Sequence, residues 1–160
     1  FSGLGDRLER VATIGDRNFY NDSASTTPES TIAALRALPP PLWLLAGGVD
    51  KGFDYRALVE EITQRAAGAV FFGRAARLLA DLVKQRAAWM PCAAAADLRE
   101  AMEICLARSA PRSTIVLSPA CSSHDQYANY RERGAAFVEL VESLAASAAR
   151  AAREAEGNAR

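Results

Sequence analysis

The sequence has little cysteine and almost no histidine, and neither residue occurs in a pattern that binds a metal. Three cysteines and one histidine occur in 160 residues, and no two cysteines have the spacing of a zinc-binding pair. The odd number of cysteines also argues against a complete set of disulfides. We therefore expect reduced thiols, a cytoplasmic setting and no structural metal.

The sequence also lacks an excess of charge of one sign and a long apolar run. Its 19 Lys and Arg balance 19 Asp and Glu, so the formal net charge is zero. Surfaces that bind nucleic acid or anionic lipid usually carry an excess of basic residues, and a membrane helix needs about 20 apolar residues in a row. We expect a soluble protein that binds neither nucleic acid nor a membrane.

What the sequence does contain is a repeated alternation of helical and strand patterns. Residues 10–21 predict a β-hairpin that turns at Gly15-Asp16, and Thr27 predicts the N-cap of a helix over 28–38. Helical spacings then alternate with short apolar runs, which predict strands at 42–46, 69–72, 89–90 and 114–117. An amphipathic pattern over 137–144 predicts a last helix. Together they indicate an α/β fold with a mostly parallel sheet, helices on both faces and an N-terminal hairpin.

Ligands of such sheets bind beyond the carboxyl ends of the strands. Three segments lie there and are named here the first loop (21–27), the second loop (47–54) and the third loop (118–130). The second loop holds Lys51 between glycines that let backbone N–H groups approach an anion, but it has neither a phosphate-loop nor a dinucleotide fingerprint. From the residues alone, contact with a ligand and a solvated charge remain equal alternatives for Lys51.

The third loop concentrates reactive side chains, which suggests two hypotheses. Cys121 or Ser122 with His124 resembles a nucleophile beside a base, although triad members usually converge from separate elements. Alternatively, Ser122 and Ser123 cap the last helix and leave amides that can bind a carboxylate. The residues alone therefore point to a small anionic ligand at the strand ends, with a thiol hydrolase as a minor alternative.

At these loops the chain resembles the C-terminal domain of the Mur ligases, and most closely the MurD type. The resemblance rests on five segments in order: GLGDR, YNDSAST, LLAGGVDKGFD, FFGR and LSPACSSHDQYANYRERGAAF. It implies a Rossmann-like sheet. It also suggests an interdomain linker at 1–6 and an amino-acid-binding domain at 7–146. The Ala-rich residues 147–160 are then expected to form a solvated helical extension.

The resemblance implies one domain of an ATP-dependent ligase that joins glutamate to UDP-N-acetylmuramoyl-L-alanine through an acyl phosphate. In these ligases an N-terminal domain holds the UDP-sugar and a central domain holds ATP and Mg²⁺. The fragment alone is therefore expected to be inactive, with no catalytic residue and no metal ligand of its own. The positions that hold the incoming glutamate match Thr26, Lys51, Ser123 and Tyr130. The positions that contact ATP match Arg7 and Asp22.

Two departures from the resemblance concern the expected substrate. Ala24 stands where the glutamate-adding ligases commonly have lysine, and Asp6 stands in place of a histidine. Loss of a cation beside a dicarboxylate would cost about 1 to 3 kcal/mol of charge-assisted hydrogen bonding. We therefore expect a rebuilt pocket that takes L-glutamate. An ordinary D-glutamate ligase is the alternative, and a non-catalytic module that binds an amino acid or a nucleotide is the second.

Overall fold

The elements of the structure follow the predicted alternation of strands and helices. A computed structural model describes residues 5–159, so residues 1–4 of the predicted linker lie outside the described part. The strands are β1 (Glu9–Ile14), β2 (Arg17–Asn21), β3 (Leu42–Gly47), β4 (Gly68–Phe72), β5 (Cys92–Ala95) and β6 (Thr114–Leu117). The helices of this part are α1 (Pro28–Ala37), α2 (Arg56–Arg65), α3 (Ala76–Arg86), α4 (Leu98–Arg108) and α5 (Tyr130–Asn158).

The strands form one sheet in the order β1-β2-β6-β3-β4-β5. β1 pairs antiparallel with β2, and every other neighbouring pair is parallel. The last strand in the chain, β6, therefore lies between β2 and β3. Since β2, β6, β3 and β4 all run in one direction, their carboxyl ends meet along one border of the sheet, named here the carboxyl edge. The predicted α/β fold is confirmed.

Both faces of the sheet are buried, which explains why its central strands are apolar throughout. Along β3, Leu44 packs among residues of α2 and α3. Its neighbour Leu45 packs among residues of α4 and α5 on the opposite face, where Phe137 is buried. Side chains alternate between the faces of a strand, so a strand covered on both sides reads as a continuous apolar run.

The fifth strand lies later in the chain than predicted. Trp89 and Met90 were expected in a strand, but Trp89 is 74% exposed and Met90 belongs to a turn in which its N–H donates to the carbonyl of Ala87. The strand begins after Pro91, at Cys92, and is composed of one cysteine and three alanines. It is the border strand beside β4 and needs no bulky side chains to pair there, so a search for large apolar residues misplaces it.

The first helix begins as predicted. Thr27 is its N-cap and forms a capping box with Ser30, and Pro28 is the first residue of α1. The helix is joined to α2 by Arg36, which donates to the two carboxylate oxygens of Glu61 at 3.0 and 2.8 Å. These hydrogen bonds lower the pKa of Glu61, which is a buried carboxylate, and Arg65 pairs with the same group.

The last helix does not begin where the sequence suggested. One of the two hypotheses for the third loop made Ser122 and Ser123 its cap, but the N-cap is Asn129, whose side chain accepts from the backbone N–H of Glu132 at 2.9 Å. Asn129 and Glu132 have the spacing of a capping box. Residues 147–159 are exposed on the helix. No helix within residues 5–159 has both the length and the apolarity to cross a membrane.

Candidate functional site

The three loops meet at the carboxyl edge and are joined by backbone hydrogen bonds. Between the second and third loops, the N–H of Gly47 donates to Pro119 O at 2.9 Å and that of Val49 donates to Ser122 O at 2.8 Å. Between the third and first loops, the N–H of Ala120 donates to Ser25 O at 2.9 Å. Segments far apart in the sequence therefore have fixed positions relative to one another.

The second loop approaches its neighbours more closely than a side chain would allow. Gly48 has a φ of +131°, and a Cβ added to it would lie 2.0 Å from the carbonyl oxygen of Ser122. A Cβ on Gly47, at φ +136°, would lie 2.0 Å from the carbonyl oxygen of Phe72. Only glycine fits both the dihedral angles and the space. Gly47 and Gly48 are therefore both needed for the second loop to lie this close to the end of β4 and to the third loop.

The first loop is held from within by the carboxylate of Asp22. One oxygen accepts from the hydroxyl of Ser118 at 2.7 Å, and the other accepts from the N–H of Leu8 at 3.1 Å. Burial raises the pKa of Asp22 because desolvation disfavours the charged form, while hydrogen bonds from Ser25, Ser118 and Leu8 and the charge of Arg7 act in the opposite direction. Asp22 therefore connects the ends of β2 and β6 to the peptide that enters the hairpin.

The entering peptide also contacts the first loop and α5 through Asp6. The side-chain amide of Asn21 donates to the Asp6 carboxylate at 2.9 Å, and the N–H of Ala24 donates to the Asp6 carbonyl at 3.0 Å. A Cβ on Gly134 would lie 2.1 Å from the same carboxylate. Asp6, noted in the sequence only as a departure, thus positions the first loop.

A cavity of about 180 Å³ opens between the three loops. It is lined by Thr26, Lys51, Ser122, Ser123, His124, Asn129 and Tyr130. The structure therefore brings together the four residues to which the resemblance assigned glutamate. Ser122, His124 and Asn129 were not predicted as part of this group. All three lie in the third loop, which the sequence predicts at the strand ends.

Lys51 is carried by a loop that is shaped around Asp50. The Asp50 carboxylate accepts from the N–H of Gly52 at 2.8 Å and from the hydroxyl of Tyr55 at 2.9 Å. Lys51 itself is exposed, and none of the ion pairs within residues 5–159 involves it. Its ammonium group is therefore available to an anionic ligand.

The two residues expected to contact ATP lie outside this cavity. Arg7 is exposed beside the entering peptide. Asp22 is only 3% exposed, and both of its carboxylate oxygens already accept hydrogen bonds from the chain itself. Arg7 therefore suits contact with a phosphate, whereas Asp22 has the contacts of a residue that orders the loops.

The cysteine of the third loop does not have the environment of a nucleophile. Cys121 is fully buried, and its sulfur lies 3.5 Å from the hydroxyl of Tyr55. Burial raises the pKa of the Cys121 thiol, so the reactive thiolate is disfavoured. The cysteine packs against the sheet on the side of α2, and nothing in this arrangement supports the thiol hydrolase hypothesis.

Within residues 5–159, no group of three or more His, Cys, Asp or Glu side chains is arranged to hold a metal ion. The ligand chemistry of the cavity is instead that of one ammonium group, several hydroxyls, an imidazole and an aromatic ring. The ammonium, hydroxyl and imidazole groups can donate hydrogen bonds to carboxylates. These groups are chemically suited to a small anion.

Comparison with known proteins identifies the family to which the chain is similar. A profile of the family described as "Mur ligase, glutamate ligase domain" matches residues 6–121. The protein of Solibacter usitatus named UDP-N-acetylmuramoylalanine–D-glutamate ligase is 40% identical over 144 residues, which are 90% of this chain and 32% of that protein. The protein of the same name from Bacillus cytotoxicus is 40% identical over 144 residues, with the same shares of 90% and 32%. The chain thus spans about a third of the length of these relatives.

Solved structures share the fold at low sequence identity. The UDP-N-acetylmuramate-alanine ligase of Thermotoga maritima has a TM-score of 0.62 at 14% identity, covering 89% of this chain and 31% of that chain. The folylpolyglutamate synthase of Mycobacterium tuberculosis complexed with ADP has a TM-score of 0.62 at 15% identity, covering 84% and 32%. At these identities the likeness shows a common architecture.

Proposed function

This chain belongs to the Mur ligase family, in the part described as its glutamate ligase domain, and from that premise we propose that it is the amino-acid-binding domain of an ATP-dependent peptidoglycan-precursor ligase. The full-length protein would join D-glutamate to UDP-N-acetylmuramoyl-L-alanine through an amide bond. The names and identities of the relatives support this substrate pair. In this proposal the domain comprises residues 7–146, and 147–160 are an extension that does not contact the ligand.

The cavity at the carboxyl edge is the observation that carries the proposal. Glutamate presents two carboxylates, and the cavity offers the ammonium of Lys51 together with the hydroxyls of Thr26 and Ser123. Charge-assisted hydrogen bonds of this kind are shorter and stronger than neutral ones. The cavity is smaller than the roughly 300 to 1,000 Å³ typical of drug-sized ligands, so one amino acid is a better match than a nucleotide.

The expected preference for L-glutamate has no support in the structure. It depended on Ala24 as the site of a lost cation, but Ala24 is not among the residues that line the cavity, and its N–H binds Asp6. A substitution outside the lining gives no reason to change the enantiomer. We therefore propose D-glutamate, in agreement with the names of the relatives.

The cofactors of the proposed reaction are ATP and Mg²⁺, held chiefly by a central domain of the same polypeptide, while an N-terminal domain holds the UDP-sugar. ATP would supply the phosphoryl group that activates the carboxylate of the acceptor. This chain would contribute Arg7, an exposed cation suited to a phosphate. It would also hold the glutamate with its amine directed toward the acceptor, so its part in catalysis is positioning. A cytoplasmic location follows from these substrates.

The proposal is tested by ADP release from the full-length ligase given ATP, Mg²⁺ and UDP-N-acetylmuramoyl-L-alanine, with D-glutamate or L-glutamate. We expect turnover with D-glutamate. Lys51→Ala should raise the KM for D-glutamate by about 10- to 100-fold because a charge-assisted hydrogen bond to a carboxylate is lost. The KM for the UDP-sugar should stay nearly unchanged.

Lys84→Ala is the matched control, since Lys84 is an exposed lysine on α3 away from the cavity. It should leave all kinetic constants unchanged. Turnover with L-glutamate alone would overturn the proposed enantiomer. An unaltered glutamate KM in Lys51→Ala would remove this lysine from the site, and no turnover with either amino acid would overturn the proposed reaction.

A further inference from the structure

Arg133, in the first turn of α5, contacts all three loops of the carboxyl edge. Its Nε donates to the hydroxyl of Ser23 at 3.0 Å, and its Nη2 donates to the Ser23 carbonyl at 3.0 Å. Its Nη1 donates to the carbonyls of Cys121, at 3.1 Å, and Gly47, at 3.4 Å. A single guanidinium group therefore joins the segments that surround the cavity.

The acceptors of Arg133 are neutral, so its charge is not cancelled by direct contact. None of the ion pairs within residues 5–159 involves this arginine, although it is fully buried. Burial lowers the pKa of Arg133 to about 10 because desolvation disfavours the charged form. At neutral pH the group still carries its proton. A buried cation whose field is weakly screened favours a negatively charged ligand nearby.

Neighbouring residues are adapted to this guanidinium. A Cβ on Gly48 would lie 3.2 Å from Nη1 of Arg133, closer than a side chain normally approaches. The hydroxyl of Ser23, which accepts from Arg133, donates in turn to the carbonyl of Tyr130 at 2.7 Å. Because Tyr130 lines the cavity, hydrogen bonds run without interruption from the buried arginine to a wall of the site.

We propose that Arg133 is a positioning residue for the amino-acid site: it holds the three loops in the arrangement that brings Thr26, Lys51 and Ser123 to one ligand. Its identity as a glutamate-site residue rests on the proposed function, whereas its effect on the loops does not. Without the guanidinium, three buried carbonyls and one hydroxyl would each lose the donor that Arg133 supplies. The loops would then separate to reach water, and the lining residues would separate with them.

The test compares Arg133→Met and Arg133→Lys in the full-length ligase. Methionine retains much of the volume but none of the donors, and lysine retains the charge with up to three donors. We expect Arg133→Met to raise the KM for D-glutamate by about 10- to 100-fold. Arg133→Lys should restore part of this loss. The KM values for ATP and the UDP-sugar should change less than twofold, roughly the scatter expected for residues that touch neither ligand.

Amide hydrogen exchange gives a measurement that does not require turnover. In Arg133→Met the N–H groups of Gly47, Val49 and Ala120, which bridge the loops, should exchange at least about tenfold faster. The N–H of Ala101 in α4, bonded to Asp97 O within the body of the domain, should be unchanged. Arg153→Met, an exposed position on the same helix, should alter neither measurement.

Each outcome decides a separate question. A folded Arg133→Met variant with a wild-type glutamate KM and wild-type exchange would overturn the positioning role. Equal acceleration of exchange at Ala101 and at the bridging amides would also overturn it, because the arginine would then act only on global stability. Absence of turnover in the wild-type enzyme, together with selective loosening of the loops in the variant, would overturn the proposed function and leave the positioning role supported.

Discussion

The body of the sheet and its carboxyl edge are stabilised by different interactions. In the body, side chains such as those of Leu44 and Leu45 pack between strands and helices through apolar contacts. At the edge, the buried groups include Asp22, Ser118 and Arg133, which are joined to their surroundings by hydrogen bonds. Apolar contact depends mainly on the area buried, whereas a hydrogen bond depends on distance and angle.

This difference separates the part that keeps the domain folded from the part that arranges the site. A core accepts other apolar side chains of similar volume at small cost. A buried donor or acceptor that loses its partner cannot be compensated in the same way. We therefore expect substitutions in the body to act mainly on stability, and substitutions at the edge to act mainly on ligand binding.

The largest loss of activity is expected for Gly48→Ala. The added Cβ would lie 2.0 Å from the carbonyl oxygen of Ser122, so the second and third loops must move apart. A displacement of about 1 Å at a site that works by positioning can reduce activity roughly 100-fold. We expect that loss in kcat/KM for D-glutamate in the full-length ligase. Gly157→Ala, with no atom within 4 Å of the added Cβ, is the control and should behave as wild type.

Leu44→Ala, in the middle of β3, is expected to lower stability and to leave ligand binding nearly unchanged. Leu44 is fully buried, and such truncations lower the free energy of unfolding by about 2 to 5 kcal/mol. Denaturant titration of the full-length ligase, with a signal that reports on the unfolding of this domain, measures the loss of stability. At a temperature where the variant is folded, its KM for D-glutamate should stay within about threefold of wild type, a change of under 1 kcal/mol. A selective rise in this KM would show that the body and the edge are not separable.

The smallest expected effect is on the pH dependence of the free energy of unfolding, in which the carboxylates of Glu61 and Asp22 act in opposite directions. Glu61 has a lowered pKa because Arg36 donates to it, so its contribution to stability is present above about pH 4.3 and is lost as the pH falls through the lowered value. Asp22 has a raised pKa because it is buried. As the pH falls, Asp22 therefore binds a proton in the folded state before it does so in the unfolded state. The free energy of unfolding increases as the pH falls from the raised pKa toward about 3.9.

Unfolding free energies between about pH 3 and pH 7 test these opposite signs. The deficit of Glu61→Gln relative to wild type should shrink as the pH falls. The advantage of wild type over Asp22→Asn should grow over the same range. Parallel curves for Asp22→Asn and wild type would show that burial of this carboxylate has no influence on its ionisation.

The fold could be predicted from the sequence wherever its elements are buried on both sides. The central strands at 42–47, 68–72 and 114–117 are apolar throughout, and no other pattern explains such short runs between helices. The border strand at 92–95 was misplaced because small residues are sufficient there. The cap of α5 was misplaced because Ser and Asn serve equally well as N-caps, and only the structure distinguishes between them.

The site could be predicted in part. Thr26, Lys51, Ser123 and Tyr130 were identified through segments that resemble a known family, and the structure places them around one cavity. Their chemistry alone would have left each of them ambiguous. Arg133 was not identified, because a charged residue on a helix is usually solvated. Its burial depends on three carbonyl groups and one hydroxyl from distant parts of the chain, and no local pattern reveals that arrangement.

The position of β6 has a consequence for biosynthesis. The hairpin of β1 and β2 and the group of β3, β4 and β5 leave the ribosome first, but neither group pairs with the other directly. They are joined only when Thr114–Leu117 has emerged and inserts between them. Such late pairing between distant segments is slow and exposes unpaired strand borders in the meantime. Until Thr114–Leu117 is made, β2 and β3 lack the strand that pairs with both of them, and the three loops cannot meet at the carboxyl edge.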